Sequence, residues 1–137
     1  MTALRILVTG SRDWTDRDAI ARALRAALMN YWPADVPVLV HGAAPGADTI
    51  ADHIWQTWRT HQQDAGAPIP FEQPERYPAR DFPSPRARNQ HMVDLGATVC
   101  LTFAQSWASG TGMCARMARR AGIHVIDYGV PTGGDSR

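Results

Sequence analysis

Short apolar runs that stop at a small-residue turn, each followed by a stretch of helical period, constrain this chain more than any other feature. Leu4-Arg5-Ile6-Leu7-Val8-Thr9 is such a run, ended by Gly10, and it has the length and content of a buried strand. Over residues 16 to 31 the period changes. Ile20, Ala23, Leu24, Ala27, Leu28 and Tyr31 share one helical face, with Arg17, Arg22 and Arg25 off it. Thr15 or Asp16 can cap that helix, and Pro33 lies just beyond its end. The cycle then repeats: Val36 to Val40 reads as a second strand, His41-Gly42-Ala43-Ala44-Pro45-Gly46 as a turn, and Ala47 to about Arg59 as a helix with Ile50, Ile54 and Trp58 on one face.

Prolines 68, 70, 74, 78, 83 and 85 interrupt the next stretch, so only a short edge strand over residues 69 to 75 is expected there, because a sheet edge tolerates proline. Ser84 and Pro85 suit the N-cap and first position of a helix running to about Leu95, where Gly96 ends it. Residues 97 to 103 read as a buried strand, Gly110 to Ala121 as a helix closed by Gly122, and Ile123 to Asp127 as a last strand. Strands alternating with helices across short loops predict βαβ units, hence an α/β fold: a parallel sheet with helices on both faces. At 137 residues the chain fits one domain, placed at residues 1 to 128, with a flexible tail over 129 to 137.

Composition narrows the chemistry. All 14 basic residues are Arg, 11 of the 13 acids are Asp, and the glutamates are Glu72 and Glu75. Catalysis by Lys is excluded, as is a Walker-type phosphate loop, which places a Lys on the phosphates. A net charge of +1 argues against a generic polyanion binder. Cys100 and Cys114 have neither a CxxC spacing nor a Cys/His cluster around them, so buried thiols in a reducing compartment are expected rather than a disulfide or zinc site. His53, His61, His91 and His124 show no metal spacing, and no metal or cofactor is expected. Met92, Met113 and Met117 read as core. The N-terminal apolar run is too short for a signal peptide and nothing approaches a membrane span, so a cytoplasmic protein without a membrane partner is expected.

In a sheet of this kind ligands bind outside the carboxyl ends of the strands. Three loops at that edge are rich in Gly, Ala and Ser where a helix starts: Gly10-Ser11-Arg12-Asp13-Trp14, the turn from His41 to Asp48, and Ser106-Trp107-Ala108-Ser109-Gly110-Thr111-Gly112. Small residues let backbone approach an anion, and the N–H groups of a helix start favour phosphate or carboxylate. Arg12 can reach a phosphate bidentately, its alternative being a surface pair with Asp13 or Asp16. Asp48 can contact a ribose hydroxyl or simply cap its helix. Trp14 can stack on a base or cap the sheet edge, whereas Trp55 and Trp58 suit a core or an interface. His41 is either a titrating pocket residue or a hydrogen-bonded structural one.

Gly10-Ser11-Arg12, Gly42-x-x-x-Gly46-Ala47-Asp48, Arg88-Asn89-x-x-Met92 and Ser109-Gly110-Thr111, in this order, resemble the SLOG superfamily of Rossmann-like domains. Its members include the DNA-processing protein Smf/DprA and the LOG phosphoribohydrolases, and the chain resembles in particular the small single-domain YspA/YpsA-related branch of bacteria and phages. The resemblance covers about residues 4 to 127. It implies a doubly wound Rossmann-like sheet of order 3-2-1-4-5 and a pocket for a nucleotide or nucleotide-derived ligand. The ligand-binding set it implies is Gly10, Ser11, Arg12, Gly42, Ala43, Gly46, Asp48, Arg88, Asn89, Ser109, Gly110 and Thr111.

LOG enzymes cleave the N-glycosidic bond of nucleoside monophosphates with a Pro-Gly-Gly-x-Gly-Thr-x-x-Glu loop and an Arg on the preceding helix. Arg88 aligns with that Arg and Gly110-Thr111 with Gly-Thr, but Trp107-Ala108 replaces the Gly-Gly pair and Cys114 replaces the Glu. A thiol does not do the work of a carboxylate at an oxocarbenium-like centre. Hydrolysis therefore needs another acid, such as Asp48 or Asp13, and ligand binding by a sensor or sequestering protein is expected ahead of it. Smf/DprA suggests a third role, binding single-stranded DNA, for which Arg76, Arg80, Arg86 and Arg88 with Tyr77 and Phe82 are the candidate surface. Small domains of this family often pair, and five Trp leave some to cover an interface, so a homo-oligomer is expected.

Overall fold

The computed structural model describes residues 3–31, 36–64, 71–104 and 110–129. Along them run β1 (Leu4–Gly10), α1 (Arg17–Asn30), β2 (Pro37–His41), α2 (Ala47–Asp64), β3 (Glu75–Arg76), a 3-10 turn (Ala79–Asp81), α3 (Pro85–Asp94), β4 (Val99–Phe103), α4 (Gly110–Arg120) and β5 (His124–Asp127). The strands form one sheet in the order β3-β2-β1-β4-β5, and every pairing is parallel. The expected α/β Rossmann-like architecture is therefore present.

Alternation along the strands divides the core. Ile6 and Val8 of β1, Leu39 of β2 and Val99, Leu101 and Phe103 of β4 turn to one face, where Ile20 and Leu24 of α1 and Ile54 and Trp55 of α2 cover them. Leu7, Val40 and Cys100 turn to the other face, under Met92 and Val93 of α3 and Cys114, Met117 and Ala118 of α4. Each fully buried Leu, Ile or Val contributes about 1.5–3 kcal/mol. The strand order, which runs outward from β1 to β2 and β3 on one side, switches at β1 to β4 and β5 on the other, and this switch opens a crevice between the carboxyl ends of β1 and β4.

The helix starts follow from their capping residues. Asp16, rather than Thr15, accepts the Ala19 N–H at the head of α1, and Ser84 accepts the Ala87 N–H at the head of α3 with Pro85 in its first turn. Helix α2 runs on to Asp64, past the expected end near Arg59. Its last turn is polar but contains no breaker.

The edge strand differs from expectation. Only Glu75 and Arg76 pair, with Val40 and His41, instead of residues 69 to 75; of these, 69 and 70 lie outside the described residues. Side chains of α2 take the carbonyls that a longer ladder would use: Arg59 Nε donates to Phe71 O and Trp55 Nε1 to Glu72 O. Pro74 has no N–H to give β2. Phe71 instead stacks on Trp55, ring centroids 4.6 Å apart. At the other end the folded body includes Gly129, whose backbone lies tight against Ala104 and Trp14; residues 130–137 of the expected tail lie outside the described residues.

Candidate functional site

The β1–α1 turn and the start of α2 are locked together through backbone. Ser11 N–H donates to Phe103 O at 2.7 Å, and the Ala47 and Trp14 N–H groups donate to Ser11 O at 3.2 and 3.3 Å. A side chain at Gly10 would strike the Ala47 Cβ and come 2.6 Å from Phe103 O, and Gly46, at φ +80°, has the Arg12 carbonyl just as close. These two glycines serve the close packing of two turns. Arg12 itself is exposed. Among the described residues its guanidinium makes no ion pair, and Asp16, one of the acids expected to hold it, is occupied at the cap of α1.

The β2–α2 turn satisfies its own N–H groups. Gly42 and Ala44 N–H donate to Asp48 Oδ2 at 3.0 and 3.3 Å, and Ala43 N–H donates to His41 Nδ1 at 2.9 Å. Thr49 Oγ1 donates to Ala44 O at 2.7 Å. Ala43 adopts φ +58°, the left-handed region that costs a residue with a Cβ about 1–2 kcal/mol. Asp48 is buried, and its Oδ1 has no hydrogen-bond partner among the described residues. Burial pushes its carboxyl above the usual carboxylate range, against the pull of His41, of the Ala44 and Gly42 N–H groups and of Arg88. The turn is thus already filled by the carboxyl group of its own helix, and a phosphate placed there would have to displace it from the Gly42 and Ala44 N–H groups.

Behind the turn His41, 1% exposed, joins a chain of polar groups. Its Nδ1 accepts from Ala43, so the ring proton lies on Nε2, which donates to Asp52 Oδ2 at 2.6 Å. Arg76 Nε and Nη2 complete a fork on the same carboxylate at 2.7 and 3.0 Å. Burial raises the Asp52 carboxyl, but hydrogen bonds from Arg76 and His41 outweigh it and leave the group below its ordinary value. The sequence reading names His41 and Arg76 but not Asp52. The signal was present: Asp48 and Asp52 are one helical turn apart on α2, so both face the end of β2.

Arg88, the expected phosphate partner on α3, is largely engaged by the protein. Its Nη1 donates to Gly42 O at 2.8 Å and Tyr77 O at 3.2 Å, and its Nε to Asn89 Oδ1 at 2.8 Å. Asn89 is itself buried. A Cβ at Gly42 would lie 2.8 Å from the guanidinium carbon, so glycine there makes room for the arginine. Of the other arginines in that segment, Arg76 is paired as described and Arg80 and Arg86 are exposed. Tyr77 donates to Glu75 Oε1 and, with Phe82, packs on the His91 ring. Two of the four arginines and both aromatic rings are thus tied into the fold.

At the third turn, Ser109 lies outside the described residues with 105–108, and Gly110 and Thr111 open α4. Cys114, one turn further, is a buried free thiol whose pKa burial pushes up to about 11, against a hydrogen bond with Thr9. It is neutral at physiological pH and offers no carboxylate chemistry. Glu75 is held by Arg5 at 2.8 and 2.9 Å, and Glu72 is exposed beside the sheet edge. Trp14 is buried, edge-on to Phe103, with its Nε1 on Asp16 O, and so belongs to the core. Among the described residues no group of His, Cys, Asp and Glu has the arrangement of a metal site, and no helix is long and apolar enough to cross a membrane.

A parallel sheet in this order, with the β1–α1 and β2–α2 turns and the start of α4 following strands β1, β2 and β4, defines a Rossmann-like α/β domain. Residues 4–62 match the model of YAcAr, described as the YspA, cpYpsA-related SLOG family. The chain is also 40% identical over 129 residues to the "Gene 61 protein" of Mycobacterium phage D29, covering 91% of this chain and 96% of that protein. The chain belongs to the YspA, cpYpsA-related SLOG family, and membership points, at a general level, to nucleotide-related ligands.

Proposed function

We propose that the protein binds a nucleotide or nucleotide-derived small molecule in the crevice between the β1–α1 turn, the β2–α2 turn and the start of α4, as a sensor or sequestering protein. The observation that carries this reading is the exposed Arg12 guanidinium at that edge, which makes no ion pair among the described residues, next to a turn whose own anion position Asp48 has filled. An anionic group is excluded from the position that Asp48 fills and drawn to Arg12 and to the first N–H groups of α4, at Gly110 and Thr111, with Ser109, outside the described residues, next to them in the sequence. The sugar and base then extend over Gly42 and Ala43. Arg88 and Asn89 support the wall of the crevice from beneath. Binding stands ahead of N-glycosidic hydrolysis because the position that needs a carboxylate holds the neutral Cys114 thiol.

Thermal unfolding against a panel of nucleoside mono-, di- and triphosphates tests the proposal. A ligand present at 100 times its Kd stabilises by about 2.7 kcal/mol, and Arg12→Ala weakens its binding by about tenfold or more, as loss of a charged hydrogen bond does. A protein that no nucleotide stabilises, and that carries no 260 nm chromophore on purification, contradicts it.

A further inference from the structure

We infer that His41 is a proton-operated latch on the β2–α2 turn. Three observations meet there. The ring is buried, and its bare Nδ1 is the acceptor for the Ala43 N–H at 2.9 Å. Ala43 holds an unfavourable left-handed φ of +58°, so the turn needs that hydrogen bond to stay closed. Ala43 is also exposed, at the mouth of a groove of about 390 Å³ shared with His41, Asp52, His53 and Arg76, which leaves the residue room to move. A proton arriving at Nδ1 turns the acceptor into a donor that faces another donor, and the Ala43 N–H must leave. Releasing Ala43 lets its φ relax and loosens the adjacent Gly42 and Ala44 N–H groups from Asp48.

Charged groups of both signs surround the ring. From α2, Asp48 and Asp52 face His41, while His53 lines the same groove. From β3, Arg76 is forked onto Asp52 and largely cancels that carboxylate; Glu75, in register with Val40, is tied to Arg5. From α3, Arg88 reaches the Gly42 carbonyl next to His41 in the chain. With Asp52 balanced by Arg76, the Asp52 bond at 2.6 Å is made equally well by a neutral Nε2–H, and the Ala43 bond decides which form the closed turn accepts.

Nitrogen NMR of the ligand-free protein, following the His41 ring nitrogens and the Ala43 amide from about pH 8 to about pH 5, tests the latch. At the upper end the ring is expected with Nε2 protonated and Nδ1 bare. On acidification the ring takes up a proton, and the Ala43 amide shifts with the same midpoint and loses about tenfold or more in hydrogen-exchange protection. In His41→Asn, whose side-chain oxygen keeps an acceptor near Ala43 but does not titrate, the amide stays insensitive to pH. An Nδ1-protonated ring at the upper end overturns the latch. So does a ring that titrates while Ala43 stays protected, or one that stays neutral until the whole protein unfolds. The wild-type titration decides the question even if the variant fails to fold. That acid weakens ligand binding rests on the nucleotide reading above, but the titration uses no ligand, so the two ideas fail separately.

Discussion

Ala43 and Arg88 bear on one backbone turn in opposite ways. Ala43 is strained by its left-handed φ, so Ala43→Gly removes a cost of about 1–2 kcal/mol and adds back about 0.5–1 kcal/mol of chain entropy. A small net stabilisation in urea unfolding is the expected outcome. Arg88 relieves the turn by donating to Gly42 O and Tyr77 O. Arg88→Met leaves two partly buried carbonyls without a donor, and a loss of about 1–3 kcal/mol is expected in the ligand-free protein. Arg12→Ala, by contrast, should leave ligand-free stability within about 0.5 kcal/mol. If Arg88→Met unfolds at the wild-type urea midpoint, the clamp assigned to Arg88 is wrong. Arg88 was legible in the sequence as a position, through its spacing to Asn89 and Met92. Its partners were not, because both are main-chain carbonyls that any residue carries.

At the level of elements, the strand-end glycines have a mechanical meaning as well as a chemical one. Gly10 lies where β1 meets the Ala47 Cβ and the Phe103 carbonyl, groups anchored in α2 and β4 that cannot swing aside. Gly10→Ala is therefore expected to cost about 1–3 kcal/mol, as overpacking does, and to disturb the Ser11 N–H bond to Phe103 O; circular dichroism melts of the variant check this. The apolar periods and capping residues made four strands and four helices legible, since each of those signals is local. The β3 region was not, because its carbonyls are taken by Arg59 and Trp55 from α2. Nothing in residues 69 to 75 announces those distant donors.

For the molecule as a whole, the short β3 edge depends on charge. Two residues of ladder hold it to β2, reinforced by Arg76 on Asp52 and by Arg5 reaching from β1 to Glu75. The Arg5 hydrogen bond lowers the Glu75 carboxyl, with Tyr77 helping and burial opposing, and Asp52 is lowered on balance as described. A carboxyl depressed in the folded state contributes stability above its unfolded value, about 3.9 for Asp and about 4.3 for Glu, and loses that contribution as pH falls through the lower folded value. Asp48 has the opposite sign: its raised carboxyl favours the fold most when protonated, and that contribution fades as pH rises through the folded value. Acid should thus release β3. The Tyr77 N–H, bonded to His41 O, should lose exchange protection below about pH 4 before the Leu101 N–H in the sheet centre does. An Asp52→Asn/Glu75→Gln double variant should show the same ordering at neutral pH, since it removes both charges without acid. If Tyr77 and Leu101 instead open together in both conditions, the edge is part of the global unit and the ion pairs do not set its stability.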